Sequence, residues 1–137
     1  MANEAVLVYE TSLPTAYLCA DAGAIEKGSF VKIADPFTVA ITAADHDAVI
    51  GITAEEKIAS DGKTKIPIYI SGIFKGVAGT AGVTVACAID MDSGTSAVNK
   101  LADAAVNSEN VVGKSLETAA AGETFLFELK PTTMNLA

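Results

Sequence analysis

The feature that most restricts this chain is its punctuation. Short runs rich in Val, Ile, Thr and Phe are broken again and again by Gly, Asp and Pro. No stretch holds a 3.6-residue apolar period long enough to build a substantial helix. The pattern predicts strands near residues 5–10, 16–20, 29–34, 38–42, 49–54, 64–71, 72–77, 83–89, 98–101, 111–117 and 124–130. Asp35-Pro36, Asp61-Gly62 and Ala121-Gly122 supply turn chemistry between them. Pro67, inside a run, predicts an edge strand or a bulge, because proline donates no ladder hydrogen bond. The best helical candidates are 53–60 and 101–109, of one or two turns each. The glycine-rich 76–82 stretch reads as the connection between two halves or as a surface loop.

The chain also repeats itself loosely. Ile50-Gly51-Ile52-Thr53-Ala54-Glu55-Glu56, a polar turn and Ile66-Pro67-Ile68-Tyr69-Ile70 make one copy. Val112-Gly113-Lys114-Ser115-Leu116-Glu117-Thr118, a shorter turn and Phe125-Leu126-Phe127-Glu128-Leu129 make the other. A further strand precedes each: Phe30-Val31-Lys32-Ile33 and Val85-Ala86-Cys87-Ala88-Ile89. An early glycine in a strand marks a bulge or a close backbone approach. The expected fold is therefore all-β: a small barrel or sandwich of short antiparallel strands, in two pseudo-repeated halves, with little helix. At 137 residues the chain divides into an N-terminal arm with the first strands (1–20) and a single β-rich unit (21–137).

Composition narrows the function. Seventeen acidic residues face nine basic ones, all Lys, for a net charge of −8. Without Arg and with this charge, the chain would repel nucleic acid, whose binding rests on neutralised phosphates. No run of about 18 apolar residues would span a bilayer, and the N-terminus lacks the basic start of a signal peptide. Cys19 and Cys87 have no metal-type spacing and read as free thilos of a protein folded in a reducing cytosol. Half the residues are hydrophobic, which also suits a chain that covers part of its surface with partner subunits.

The catalytic inventory is sparse. His46 is the single histidine and lies between Asp45 and Asp47 in a polar turn; no Gly-x-Ser-x-Gly elbow accompanies it. Gly62-Lys63-Thr64 lacks the earlier glycine of a phosphate loop. Asp90-Met91-Asp92-Ser93-Gly94 resembles the start of a calcium loop, but its glycine comes one place early and Leu101 stands where the closing Glu belongs. Neighbouring Glu55 and Glu56 would point to opposite faces of a strand. The expectation is a non-enzyme with no cofactor and no metal.

Several segments, taken in order, carry a resemblance. They are Gly28-Ser29-Phe30-Val31-Lys32-Ile33-Ala34-Asp35, Val49-Ile50-Gly51-Ile52 with Glu55-Glu56-Lys57, and Gly62-Lys63-Thr64 with Ile66, Ile68, Tyr69 and Gly72-Ile73-Phe74. Val112-Gly113, Leu116-Glu117-Thr118-Ala119 and Gly122-Glu123-Thr124-Phe125-Leu126-Phe127-Glu128-Leu129 complete them. Across residues 25 to 130 the chain resembles the phage capsid cement, or head-decoration, proteins. It departs from them at Val85-Ala86-Cys87, where the family usually has a Gly-Asp pair. The resemblance implies a virion protein made in the host cytoplasm. It would sit as a homotrimer on the outer face of an HK97-type head, with the major capsid protein as partner, clamping neighbouring capsomers. The expected seating element is the N-terminal arm, Ala2, Asn3, Glu4, Ala5, Val6, Leu7, Val8 and Tyr9, with an elbow at Leu13 and Pro14. Its alternating apolar residues suit strand addition to a partner's edge, and equally an ordinary first strand. The rival expectation is a virion-surface adhesion or carbohydrate-binding β-module.

Overall fold

The computed structural model describes residues 3–42, 46–92, 99–104 and 110–133. Eleven strands follow in order: β1 (Val6–Tyr9), β2 (Thr15–Cys19), β3 (Phe30–Asp35), β4 (Thr38–Ile41), β5 (Val49–Thr53), β6 (Lys65–Tyr69), β7 (Gly72–Ala78), β8 (Ala88–Met91), β9 (Lys100–Asp103), β10 (Asn110–Ser115) and β11 (Thr124–Thr133). Each predicted run carries one of them, and the all-β class holds.

The two halves do not share one barrel. Each closes on itself: β2-β4-β3-β5-β6 form one barrel, and β7-β11-β10-β8-β9 form the second, closed by the β7–β9 pairing and extended by β1. The correspondence is strand for strand, with β2 to β6 matching β7 to β11. An entirely antiparallel arrangement is impossible in a ring of five, because strand directions cannot alternate around an odd number. Both barrels therefore contain one parallel pair, at the same place: β2 with β4 (Leu18↔Thr38) and β7 with β9 (Val77↔Lys100). The matching bridges Ile25↔Lys57 and Val83↔Ala119 lie just outside the strands.

The repeated early glycine has a steric cause. A Cβ on Gly51 would fall onto the Tyr69 carbonyl, and one on Gly113 onto the Glu128 carbonyl. Strand irregularities sit beside both glycines, so the backbones approach where a side chain is missing.

Five local expectations change. Segment 53–60 is not helical, because the Lys57 amide and carbonyl are both spent on Ile25, at 2.7 and 2.9 Å. The other helical candidate opens as β9, and its residues 105–109 lie outside the described residues. The run at 83–89 becomes strand only from Ala88, since Ala86 adopts φ 67° and turns the chain. Gly76 belongs to β7, and the halves join at Ser71 instead. Pro67 lies in a strand paired on both sides, not at an edge. Its carbonyl accepts from Ala54 beyond the end of β5, 2.9 Å away. Its nitrogen faces the same way, so the one ladder bond proline forgoes falls past the last residue of β5.

The first barrel is filled by Cys19, Ile25, Val31, Val39, Ile66 and Ile68. The second is filled by Phe74, Ile89, Met91, Leu101, Val112, Phe125, Phe127 and Leu129. Phe30, Val49 and Ile52 of the first barrel belong to that same cluster, as does Ala5. Val31 points into its own barrel, so its neighbour Phe30 points outward, into the other one. Its ring lies 6.1 Å from that of Phe127.

Candidate interaction surface

The arm residues divide by direction. Ala5 is buried in the shared core and its amide donates to the Gly28 carbonyl at 3.0 Å. Leu7 packs against the same core. Val6, Val8 and Tyr9 are exposed, as is Leu13 at the elbow, whereas Pro14 is half-buried. Asn3 turns the chain with φ 59°, Glu4 is exposed, and Ala2 lies outside the described residues. β1 pairs with β7 of its own chain (Val6↔Lys75, Leu7↔Phe74) and ends the six-stranded order, so among the described residues its outer edge has no strand partner. The arm is tied down beyond the strand as well. The Thr11 and Ser12 hydroxyls meet that of Ser71 at 2.9 and 2.6 Å, and the Tyr69 phenol donates to Glu10 at 3.0 Å. Burial and the Glu10 carboxylate together raise the Tyr69 pKa, which keeps the phenol a donor.

A second exposed feature escaped sequence reading. Phe37, in the turn after Asp35-Pro36, stacks on Tyr17 with ring centroids 4.6 Å apart and planes 16° from parallel. It is 56% exposed and holds φ 55°, a left-handed conformation unfavourable to a bulky side chain. The Leu18 amide fixes it by donating to its carbonyl at 2.9 Å. The signal was an aromatic directly after a turn proline.

His46 does find an acidic partner. Its Nδ1 lies 2.6 Å from Oδ2 of buried Asp90, its amide donates to the Met91 carbonyl, and the Asn110 side chain donates to its own carbonyl. No described hydroxyl or thiol bonds its other ring nitrogen, and neither described cleft includes it. The pair joins the loop before β5 to β8, so it works as a strut between the barrels. Asp92 is engaged separately, accepting from the Thr80 amide and hydroxyl at 2.9 and 3.0 Å. Leu101 is buried in the second barrel, so the residues of the calcium-like motif do not converge; Ser93 and Gly94 lie outside the described residues. Among the described residues no group of three or more His, Cys, Asp or Glu side chains is placed to hold a metal ion.

Lys57, at the other end of the first barrel, is 1% exposed. Its ammonium donates to the Asp21 and Ile58 carbonyls at 2.9 and 2.6 Å, and to the Asp61 and Asp21 carboxylates at 2.7 and 3.3 Å. Burial pulls its pKa down, but the hydrogen bonds it donates to Asp61 and Asp21, with their negative charge, outweigh that and hold it above the ordinary value. The Lys57 hydrogen bond, helped by the Lys63 amide, lowers that of Asp61. Lysine chemistry in a cleft needs a depressed pKa, and this residue has the opposite. It is a barrel plug.

No protein-family model matches the chain, and no curated protein does. Among solved structures, the fold is similar to the N base of head fiber gp8.5 of bacteriophage phi29. The TM-score is 0.53 at 11% identity, over 89% of this chain and 97% of that one.

Proposed function

We propose that this chain is a structural protein of a phage virion. In this reading it binds the outer face of the head as a homotrimer and bridges neighbouring major capsid proteins without catalytic chemistry. The observation that carries the reading is the double-barrel fold. A phage head fiber base is similar to it over nearly its whole length, and the cement-like segments Gly28–Asp35 and Gly122–Leu129 carry β3 and the start of β11. The surface fits the role. The exposed side of the arm offers Val6, Val8 and Tyr9 beside an open strand edge, and the ionisable groups with shifted pKa serve packing.

The mechanism is additive. A standard interface buries about 1,600 Å², and seating across several subunits raises effective affinity. Copies that bind the assembled lattice but not free subunits shift the balance toward intact shell by mass action. Quantitative mass spectrometry of purified virions, with immunogold labelling, tests the location. The reading expects this chain at lattice-like copy number on the outside of mature heads. Absence from purified heads, or a position on the tail, removes it. A glycan array addresses the adhesion alternative, for which the exposed Tyr17–Phe37 stack is the surface a sugar ring would need.

A further inference from the structure

The repeat is exact enough to ask what each barrel lacks that the other has. Val31 pairs with Gly51 as Ile89 pairs with Gly113, so Phe30 corresponds to Ala88 and Ile52 to Lys114. Ile33 pairs with Val39 as Met91 pairs with Leu101, so Ile33 corresponds to Met91. Phe37 and Asn99 each stand immediately before the third strand of their barrel, at φ 55° and 60°. Ile68 pairs with Thr53 as Phe127 pairs with Ser115, which sets Ile70 against Leu129.

In the second barrel these positions form a covered mouth. Met91, Asn99 and Leu129 are 0%, 1% and 1% exposed, and the cover is the outer face of the first barrel. Phe30 packs there, and its amide donates to Asn99 Oδ1 at 3.2 Å. In the first barrel the corresponding Ile33, Phe37 and Ile70 are 45%, 56% and 38% exposed. Among the described residues nothing buries this mouth. The surface that would cover it is present on the second barrel: the counterpart of the Phe30 face. There, Ala88 stands where the first barrel has Phe30, in a cleft of about 390 Å³ lined by Ala86, Ala88, Gly113 and Lys114, with Lys130 and Glu128 beside them.

We infer that two copies of this chain associate head to tail by repeating the internal barrel junction. The Tyr17–Phe37 mouth of one seats in the Ala88–Gly113 cleft of the next. The internal junction inserts a phenylalanine from the covering face. The external one inverts that, with Phe37 projecting from the mouth into space that alanine leaves. Charge agrees: Asp35, two residues before Phe37, approaches a cleft carrying Lys114 and Lys130. A contact between two different surfaces is heterologous, so it generates a closed ring or a filament, and a pair would leave one mouth and one cleft open. The proposed homotrimer is a ring of this kind, and the inference names its two surfaces; it holds or fails in solution, without reference to a head.

The test is sedimentation of three proteins. Phe37→Gly removes the aromatic while suiting the left-handed backbone. Ala88→Glu fills the cleft from an exposed position opposite Lys114. Wild type is expected to sediment as three or more copies, and each variant, folded by circular dichroism, as a monomer. An equimolar mixture of the two variants should form a dimer and nothing larger, since it restores one mouth and one cleft. A monomeric or strictly dimeric wild type overturns the inference. So does assembly by either variant alone, or a mixture that stays monomeric. Head occupancy by a monomeric wild type would sink this contact and leave the decoration reading standing.

Discussion

Ala86 and Lys57 show how single residues carry the repeat. Gly28 and Ala86 both take left-handed φ, 79° and 67°, and their amides meet Thr53 and Ser115 at 3.0 and 2.8 Å. The same turn is made with and without glycine, and alanine there costs about 1 kcal/mol or more. Ala86→Gly is expected to raise stability by about 0.5–1 kcal/mol, measured as a higher urea midpoint with unchanged slope. Lys57 gives a pH dependence. Asp61 has a lowered folded pKa, so its contribution is present above its unfolded value, about 4, and is lost as pH falls through the folded one. Lys57 has a raised folded pKa, so its contribution is full below its unfolded value, about 10.4, and disappears only as pH rises through the folded one. Urea midpoints of the wild type should therefore fall on acidification below about pH 4. In Lys57→Met the protein should be less stable at neutral pH, with a shallower acid slope.

At the scale of strands, the sequence was legible where turns were chemical. Asp35 closes β3, Pro36, Asp61-Gly62 and Ala121-Gly122 fall between strands, and Gly51 and Gly113 anchored the repeat because their missing side chains are a steric requirement. The same reasoning failed at Gly76. In β7 its bareness makes room for the Phe127 and Leu101 side chains, and a packing gap looks like a flexible loop when only the sequence is read. Parallel closure also left no local signature, since it follows from the parity of the ring. The arm was half legible: its alternation was plain, but nothing local told which strand it would join. Gly113→Ala forces a Cβ against the Glu128 carbonyl and should cost about 1–3 kcal/mol, with Gly51→Ala behaving alike in the first barrel. Deleting residues 2–12 removes Ala5 and Leu7 from the core and should lower stability by about 2–5 kcal/mol. Replacing exposed Val6, Val8 and Tyr9 with Ser should leave stability within about 0.5 kcal/mol while reducing head occupancy, which separates seating from folding.

The whole molecule is two barrels joined by one core. Phe30, Val49 and Ile52 cross the junction, and His46 with Asp90 braces it, so neither barrel finishes its own packing. Phe127 lies at the centre, within 6.1 Å of the rings of Phe30, Phe74 and Phe125. Phe127→Ala should cost about 3–5 kcal/mol and lower the melting of both barrels together in one calorimetric transition. Acidic and built as two repeated barrels, such a body suits the covering role proposed for it. Heat-induced DNA release from heads, stripped of the chain and then resaturated with it, tests that role most directly. The release midpoint should rise with added protein and level off when the lattice sites are filled. Full binding with an unchanged midpoint would contradict the account.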